Sequence, residues 1–223
     1  MSSTASSPPC IAIIGDVVRS RRIRDRAASQ RDLEGFVAHL DDAFRSDLLT
    51  FVSISRGDEF QALLARGSAI PDVVWESSSR FGHPIRLGIG LGTLNTAFGR
   101  DPRLTDGPVW WAARAALQSG VESKRNGGVF RGFGDKQDVV LTALASVLAQ
   151  VRERLTSRQK AILSLLRAGN DMVRAAETLG ITRQAVSDAA RAAGWRAYQD
   201  GEAGWRALLD DYDYTDEWKH ARA

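Results

Sequence analysis

Soft-metal and disulfide chemistry find little in this sequence. Its 223 residues include one cysteine, Cys10, and three histidines. That excludes an internal disulfide framework and a cysteine-cluster zinc site, and it leaves few nitrogen or sulfur ligands for any metal. No apolar run approaches the roughly 18–20 residues that cross a bilayer, so no membrane partner is expected. Charge of one sign is also lacking, with 30 Lys and Arg against 27 Asp and Glu and a net charge of +3. A nucleic-acid partner would therefore have to be met by a local patch, not by the whole molecule. Residues 1–9 lack the basic start and apolar core of a secretory signal and read as a loose, disordered tail. The expected compartment is the cytosol. What is present, 43% hydrophobic and 26% charged residues, is the composition of a folded chain large enough for one large domain or two small ones.

The spacing of apolar residues sets the expected elements. Ile11–Ile14 is a β-branched run that closes on Gly15-Asp16, a buried strand with a carboxylate at its end. Leu33, Phe36, Val37, Leu40 and Phe44 share one helical face within Ser29–Phe44. Between Leu49 and Leu64, two strands fold around Arg56-Gly57-Asp58, and a helix follows over about Pro71–Phe81. Ile85–Thr93 alternates apolar residues with glycine, as a strand does where another backbone approaches closely. Asn95–Gly107 has no period and reads as a loop, and Val109–Gln118 reads as a helix. After a turn at Asn126-Gly127-Gly128, short strands at Val129–Phe133 and Val139–Leu141 finish the expected sheet. This gives an α+β domain over 10–143. A connecting helix over 144–155, a helical domain over 156–200 and an acidic, aromatic tail over 201–223 are expected to follow.

Asp16 ends one strand and Asp58 sits in the turn between two others, so a sheet that places the hairpin beside the first strand brings both to one end. Two adjacent carboxylates repel unless a cation lies between them, and hard ions such as Mg²⁺ or Mn²⁺ take oxygen ligands. The carbonyl of Val17 is a further candidate ligand. Read singly, Asp16 serves equally as a helix cap and Asp58 as an ordinary turn residue. Glu59 reads as either a third member of the site or a solvent-facing side chain. Trp110 and Trp111 read as core or interface aromatics, with base stacking as the alternative. Arg19, Arg21, Arg22 and Arg24 follow the first carboxylate and fit either phosphate binding or a solvated loop.

These residues carry a family resemblance. Ile14-Gly15-Asp16-Val17-Val18 resembles the first metal-binding strand of class III nucleotide cyclases. Arg56-Gly57-Asp58-Glu59-Phe60 resembles their second metal-binding hairpin and the Gly-Gly-Asp-Glu-Phe signature of diguanylate cyclases. Ile85–Gly92 is similar to the glycine-rich strand that follows, and Gly107–Arg114 to the cyclase helix ending in Ala-Ala-Arg. The chain also resembles the SatD family, whose members share the Ile14–Arg21 start, the Gly57–Gln61 hairpin and a DNA-binding-type C-terminal segment. The resemblance implies a ferredoxin-like palm, with Asp16, Val17 and Asp58 at the metal and Asp16, Asp58 and Arg114 as the catalytic set. Arg56, Gly57 and Trp110 then fall at nucleotide-binding positions. Trp110 replaces the asparagine that orients the ribose in cyclases, and the apolar Ile54 falls near the lysine that reads adenine.

From Thr156 the pattern becomes helical. A capped helix carries Ile162, Leu163, Leu165 and Leu166, a second covers Met172–Leu179, and Gly180-Ile181-Thr182 leads into a third beginning at Arg183. This looks like a helix-turn-helix. Thr182, Arg183, Gln184 and Ser187 open its recognition helix, where a major groove would meet them. Arg191 is a candidate phosphate contact.

Three functions fit. The first is a cytosolic regulator in which a palm domain, holding a nucleoside triphosphate with Mg²⁺ or Mn²⁺, controls DNA binding by a homodimer. The second is an active cyclase or nucleotidyltransferase, and the third is a palm domain that serves only as a scaffold.

Overall fold

The structure is a computed structural model that describes residues 7–20 and 23–221, with Arg56 described in its backbone only. Contacts divide the chain into two units, one made of residues 1–146 and 205–223 and the other of 147–204. The helical unit is thus inserted into the first rather than appended to it.

The first unit is built on strands β1 (Cys10–Val17), β2 (Ser53–Arg56), β3 (Glu59–Leu64), β4 (Ile85–Gly92) and β5 (Val129–Arg131), in the order β2-β3-β1-β4-β5. The first four run antiparallel to their neighbours, and β5 lies parallel to β4. Helices α1 (Arg26–Ala43) and α2 (Ile70–Ser79) provide the connections β1–α1–β2 and β3–α2–β4. Because strand side chains alternate between faces, Ile13, Phe60, Ala62 and Leu64 meet Leu40 and Phe44 of α1 and its exit and Val73 of α2. Phe36 of α1 stands edge-on to Phe60, with ring centroids 5.8 Å apart.

Helix α3 (Pro108–Glu122) covers the opposite face, against Cys10, Ala12, Ile14 and Leu63. Its approach is governed by glycine. A Cβ on Gly88 would lie 2.3 Å from the Ala113 carbonyl oxygen, and one on Gly90 would lie 2.2 Å from the Ala113 nitrogen. The alternation of glycine in β4 is the print of this helix. The same steric logic joins two of the sequence motifs: Gly15 pairs with Phe60 across β1 and β3, and a Cβ at Gly15 would sit 2.2 Å from the Phe60 ring.

Several expectations are corrected. Val139–Leu141 is not a strand, because helix α4 runs over Asp135–Glu153 and takes in most of the segment read as a connecting helix. Leu141 and Ala145 are buried at helical spacing while Val139 is 67% exposed, so a period of 3.6 decides the segment over β-branching. Asp138 fixes the start of α4 by accepting from the backbone nitrogens of Gly132 and Phe133 at 3.1 and 2.9 Å. The residues after 201, expected as an acidic, aromatic tail, are helical. They form helices α8 (Trp195–Asp210) and α9 (Thr215–Ala221), and from Trp205 onward they belong to the first unit. Tyr214 donates its backbone N–H to Ala65 and Gly67 donates to Tyr212, each at 2.9 Å. Asp213 pairs with Arg66 at 3.5 Å, and Arg206 pairs with Asp72 at 2.8 Å. Asp213, Arg206 and the buried Trp205 and Trp218 are among its docking groups. Within the expected N-terminal tail, Ser7 accepts the Leu94 N–H at 2.7 Å and Pro9 accepts the Trp218 indole N–H at 2.7 Å. Residues 1–6 lie outside the described residues.

The second unit holds α5 (Ser157–Arg167), α6 (Met172–Leu179) and α7 (Arg183–Ala192). Thr156 caps α5 in a reciprocal box with Gln159, and Gly180 ends α6 in the left-handed region at φ 63°. Ile162, Leu163, Ala175, Ala176, Val186 and Ala190 form the small core.

Candidate functional site

The register of three strands places charged residues side by side on the α3 face. Asp16 of β1 lies opposite Glu59 of β3 and opposite Arg86 of β4. Above them, Arg114 of α3 donates from both terminal nitrogens to the two oxygens of Glu59, the Nη2–Oε1 distance being 2.9 Å. Ser55 donates to the same carboxylate at 2.7 Å. Glu59 is only 7% exposed, whereas the Arg114 guanidinium is about half exposed. Arg86 Nε is buried without a hydrogen-bond partner among the described residues.

Asp16 is half-buried, and its carboxyl is held above its ordinary value. Burial is the largest cause, followed by the charges of Asp58 and Glu59, against the opposing pull of Arg86 and Arg114. Arg114 is pushed the other way, more firmly cationic, by its hydrogen bonds to Glu59. The gathering of carboxylates is therefore only partly compensated by its two arginines.

Asp58 occupies the β2–β3 turn, which Gly57 makes possible by adopting φ 51°. The Asp58 carbonyl accepts the Val17 N–H at 3.2 Å, tying the hairpin to the end of β1. Val17 and Asp58 also line a pocket of about 60 Å³ together with Gly57, Ser20, Ser29 and Arg26 at the entrance to α1. Arg19, in the loop between, has φ 58°, a conformation uncommon for a residue with a Cβ. Arg21 and Arg22 lie outside the described residues, as does the Arg56 side chain. Among the described residues no group of three or more His, Cys, Asp and Glu is arranged to hold a metal ion. The expected ligands Asp16, Asp58 and the Val17 carbonyl offer oxygen donors only, the kind that Mg²⁺ or Mn²⁺ would take.

Trp110, one helical turn before Arg114 on α3, is buried in the core, and its indole N–H is given to Thr105 at 3.0 Å. Trp111 is the exposed one of the pair. Sequence reasoning missed Arg86 and Ser55 and left Glu59 open. Arg86 had a signal, since it continues the run of Gly88, Gly90 and Gly92 along the face of β4 that meets α3. Ser55 had none.

In the second unit, Thr182, Arg183 and Gln184 are exposed and Ser187 is half-buried in the first turns of α7. Thr182 caps the helix by accepting from Ala185 at 3.1 Å. Gln184 donates to Asp188 at 3.1 Å, and Arg191 pairs with the same carboxylate.

The SatD family model matches residues 10–198. The chain belongs to the SatD family. No curated protein matches it. Among solved structures, one described as a regulator of polyketide synthase expression from Bifidobacterium adolescentis is similar at 14% identity, over 93% of this chain and 80% of that one. Its TM-score is 0.27, and at that value the likeness lends nothing to fold or function. The SatD match spans all the residues of the charged cluster and all of α5–α7. Among the described residues, no helix is long and apolar enough to cross a membrane.

Proposed function

We propose that this SatD protein is a regulator whose first unit binds a nucleoside triphosphate with a divalent cation and whose second unit binds DNA in response. The observation that carries the reading is the cluster at one end of the sheet, where strand register sets Asp16 opposite both Glu59 and Arg86, the turn residue Asp58 adjoins, and Arg114 pairs with Glu59. Two of these carboxylates, Asp16 and Asp58, would serve a cation, with arginines beside them for an anion, the charge pattern of a metal–phosphate pair. The β1–α1–β2–β3–α2–β4 order with sheet order β2-β3-β1-β4 supports a ferredoxin-like palm.

Asp16, Asp58 and the Val17 carbonyl would hold the cation, and Arg114 and the residues around Gly57 would face the phosphates. A bound Mg²⁺ or Mn²⁺ supplies charge neutralisation of the phosphate oxygens. The chain itself positions the carboxylates by strand register, keeps water from Glu59 by burial, and fixes the hairpin through the Val17–Asp58 backbone bond.

In the second unit, α6, the Gly180 turn and α7 support a helix-turn-helix. Thr182, Arg183, Gln184 and Ser187 would enter the major groove, with Arg191 at a phosphate. A single recognition helix reads few bases, which favours a homodimer. Ligand control requires that the nucleotide bind the DNA-competent state with a different affinity from the other state.

Calorimetric titration with each ribonucleoside triphosphate in Mg²⁺ or Mn²⁺ tests the ligand half of this reading. At least one nucleotide should bind the wild type, and Asp58→Ala should weaken it by on the order of tenfold or more. Equal binding by both proteins would place the ligand elsewhere.

The second reading, a cyclase or nucleotidyltransferase, is favoured by the nearness of Asp16 to Asp58 and opposed by the burial of Trp110 where cyclases orient the ribose. Mass spectrometry of the same incubations separates the two. Intact triphosphates support the regulator, and a new product lost in Asp16→Ala and Asp58→Ala supports the enzyme.

A further inference from the structure

Glu59 is an unusual neighbour for a phosphate-binding arginine. It lies in register beside Asp16, so two carboxylates stand side by side where one already suffers from burial. It is nearly inaccessible, and both of its oxygens receive the Arg114 guanidinium while Ser55 adds a third donor. A planar carboxylate in that two-pronged contact satisfies a guanidinium as two phosphate oxygens would. On the other side of Asp16, the Arg86 Nε–H is shut away from water with no acceptor among the described residues. Buried donors are normally satisfied, and here the Arg86 Nε–H lacks an acceptor among the described residues while the Arg114 guanidinium has one in Glu59.

We propose that Glu59 is a built-in competitor for the ligand's phosphate, and that Arg114 and Arg86 together form an anion subsite that opens only when a divalent cation is present. Without the cation, Glu59 occupies Arg114, and its charge with those of Asp16 and Asp58 repels free phosphate. Once the cation neutralises the carboxylates, Arg114 is no longer needed by Glu59 and turns to the phosphate, with Arg86 filling its missing acceptor from the same group. The subsite therefore accepts a metal-bound polyphosphate and rejects the free anion. The inference rests on the ligand reading given above.

The test is calorimetric titration of inorganic tripolyphosphate into the full chain, with and without Mn²⁺. Wild-type protein should bind on the order of tenfold or more tighter with Mn²⁺ than without it. Glu59→Gln should bind metal-free tripolyphosphate on the order of tenfold or more tighter than the wild type does, because Arg114 then lacks a charged competitor. Arg86→Met should weaken binding in both the wild-type and Glu59→Gln backgrounds. Glu59→Asp, which keeps the charge but falls short of the two-pronged contact, should move in the same direction as Glu59→Gln and serves if the glutamine variant fails to melt cooperatively. If the wild type binds with Mn²⁺ and Glu59→Gln gains nothing without it, the competitor is refuted while the ligand site stands. Unchanged binding by Arg86→Met refutes the subsite. If neither wild type nor Glu59→Gln binds under any condition, the ligand reading falls and this inference falls with it.

Discussion

Asp16 destabilises the fold that positions it. A carboxyl held above its unfolded value near 3.8 binds its proton more tightly in the native state. Its ionisation therefore lowers stability as pH rises from the unfolded value through the folded one, and the cost is complete above both. Asp16→Asn is expected to raise Tm at pH 7, with the gain shrinking on acidification and vanishing below the unfolded value. Thermal melts of the metal-free protein between pH 3 and 8 check this, and a variant less stable at neutral pH would show that Arg86 and Arg114 outweigh the repulsion. Cys10 is the opposite kind of residue, fully buried with its thiol pushed up to about 12 by burial. Thiol reagents should label it only as fast as the protein unfolds. The placement of both aspartates, at a strand end and in a turn, could be read from sequence, because a carboxylate after an apolar run and one in a Gly-Asp turn are local patterns. Glu59 could be named but not placed, since its burial depends on Arg114, which lies 55 residues away.

Among the elements, β1, the β2–β3 hairpin, β4 and α3 were legible because their patterns are steric. Gly15 is demanded by the Phe60 ring, and Gly88 and Gly90 by the α3 backbone. Gly90→Ala forces a Cβ into backbone that cannot rotate aside, and by overpacking should cost about 2–3 kcal/mol, measurable as a lowered denaturant midpoint. Gly35, whose added Cβ meets nothing within 4 Å, is the control: it lies inside α1, and Gly35→Ala should be neutral or stabilising. The start of α4 was misread because Val139 and Val140 have strand propensity, while the burial of Leu141 and Ala145 is a tertiary fact. On α7, Asp188 engages both Gln184 and Arg191. If this helix meets DNA, Asp188→Ala should tighten non-specific binding several-fold and steepen its salt dependence, since it removes a negative charge and frees a cation. Unchanged affinity would move the DNA contact off α7.

The whole molecule departs most from its sequence reading at the C-terminus. Composition marked the segment after 201 as acidic and aromatic, but only long-range partners show that it completes the first unit. Trp205 is fully buried and stands edge-on to Phe130 at 5.9 Å between centroids. Trp205→Ala should lower stability by about 3–5 kcal/mol, and a chain ending at Gly204 should lose the cooperative melting of the first unit. Cooperative melting at wild-type temperature in either protein would show that the segment is dispensable. The second unit is enclosed in sequence by the first, and the proposed function couples ligand binding in one to DNA binding in the other. That coupling is the central claim, and fluorescence anisotropy of labelled DNA titrated with the full chain, with and without each triphosphate and Mg²⁺, tests it most directly. The account predicts DNA binding whose affinity changes several-fold with at least one triphosphate, an effect lost in Asp58→Ala. The same DNA affinity in every nucleotide, or no DNA binding at all, would contradict it.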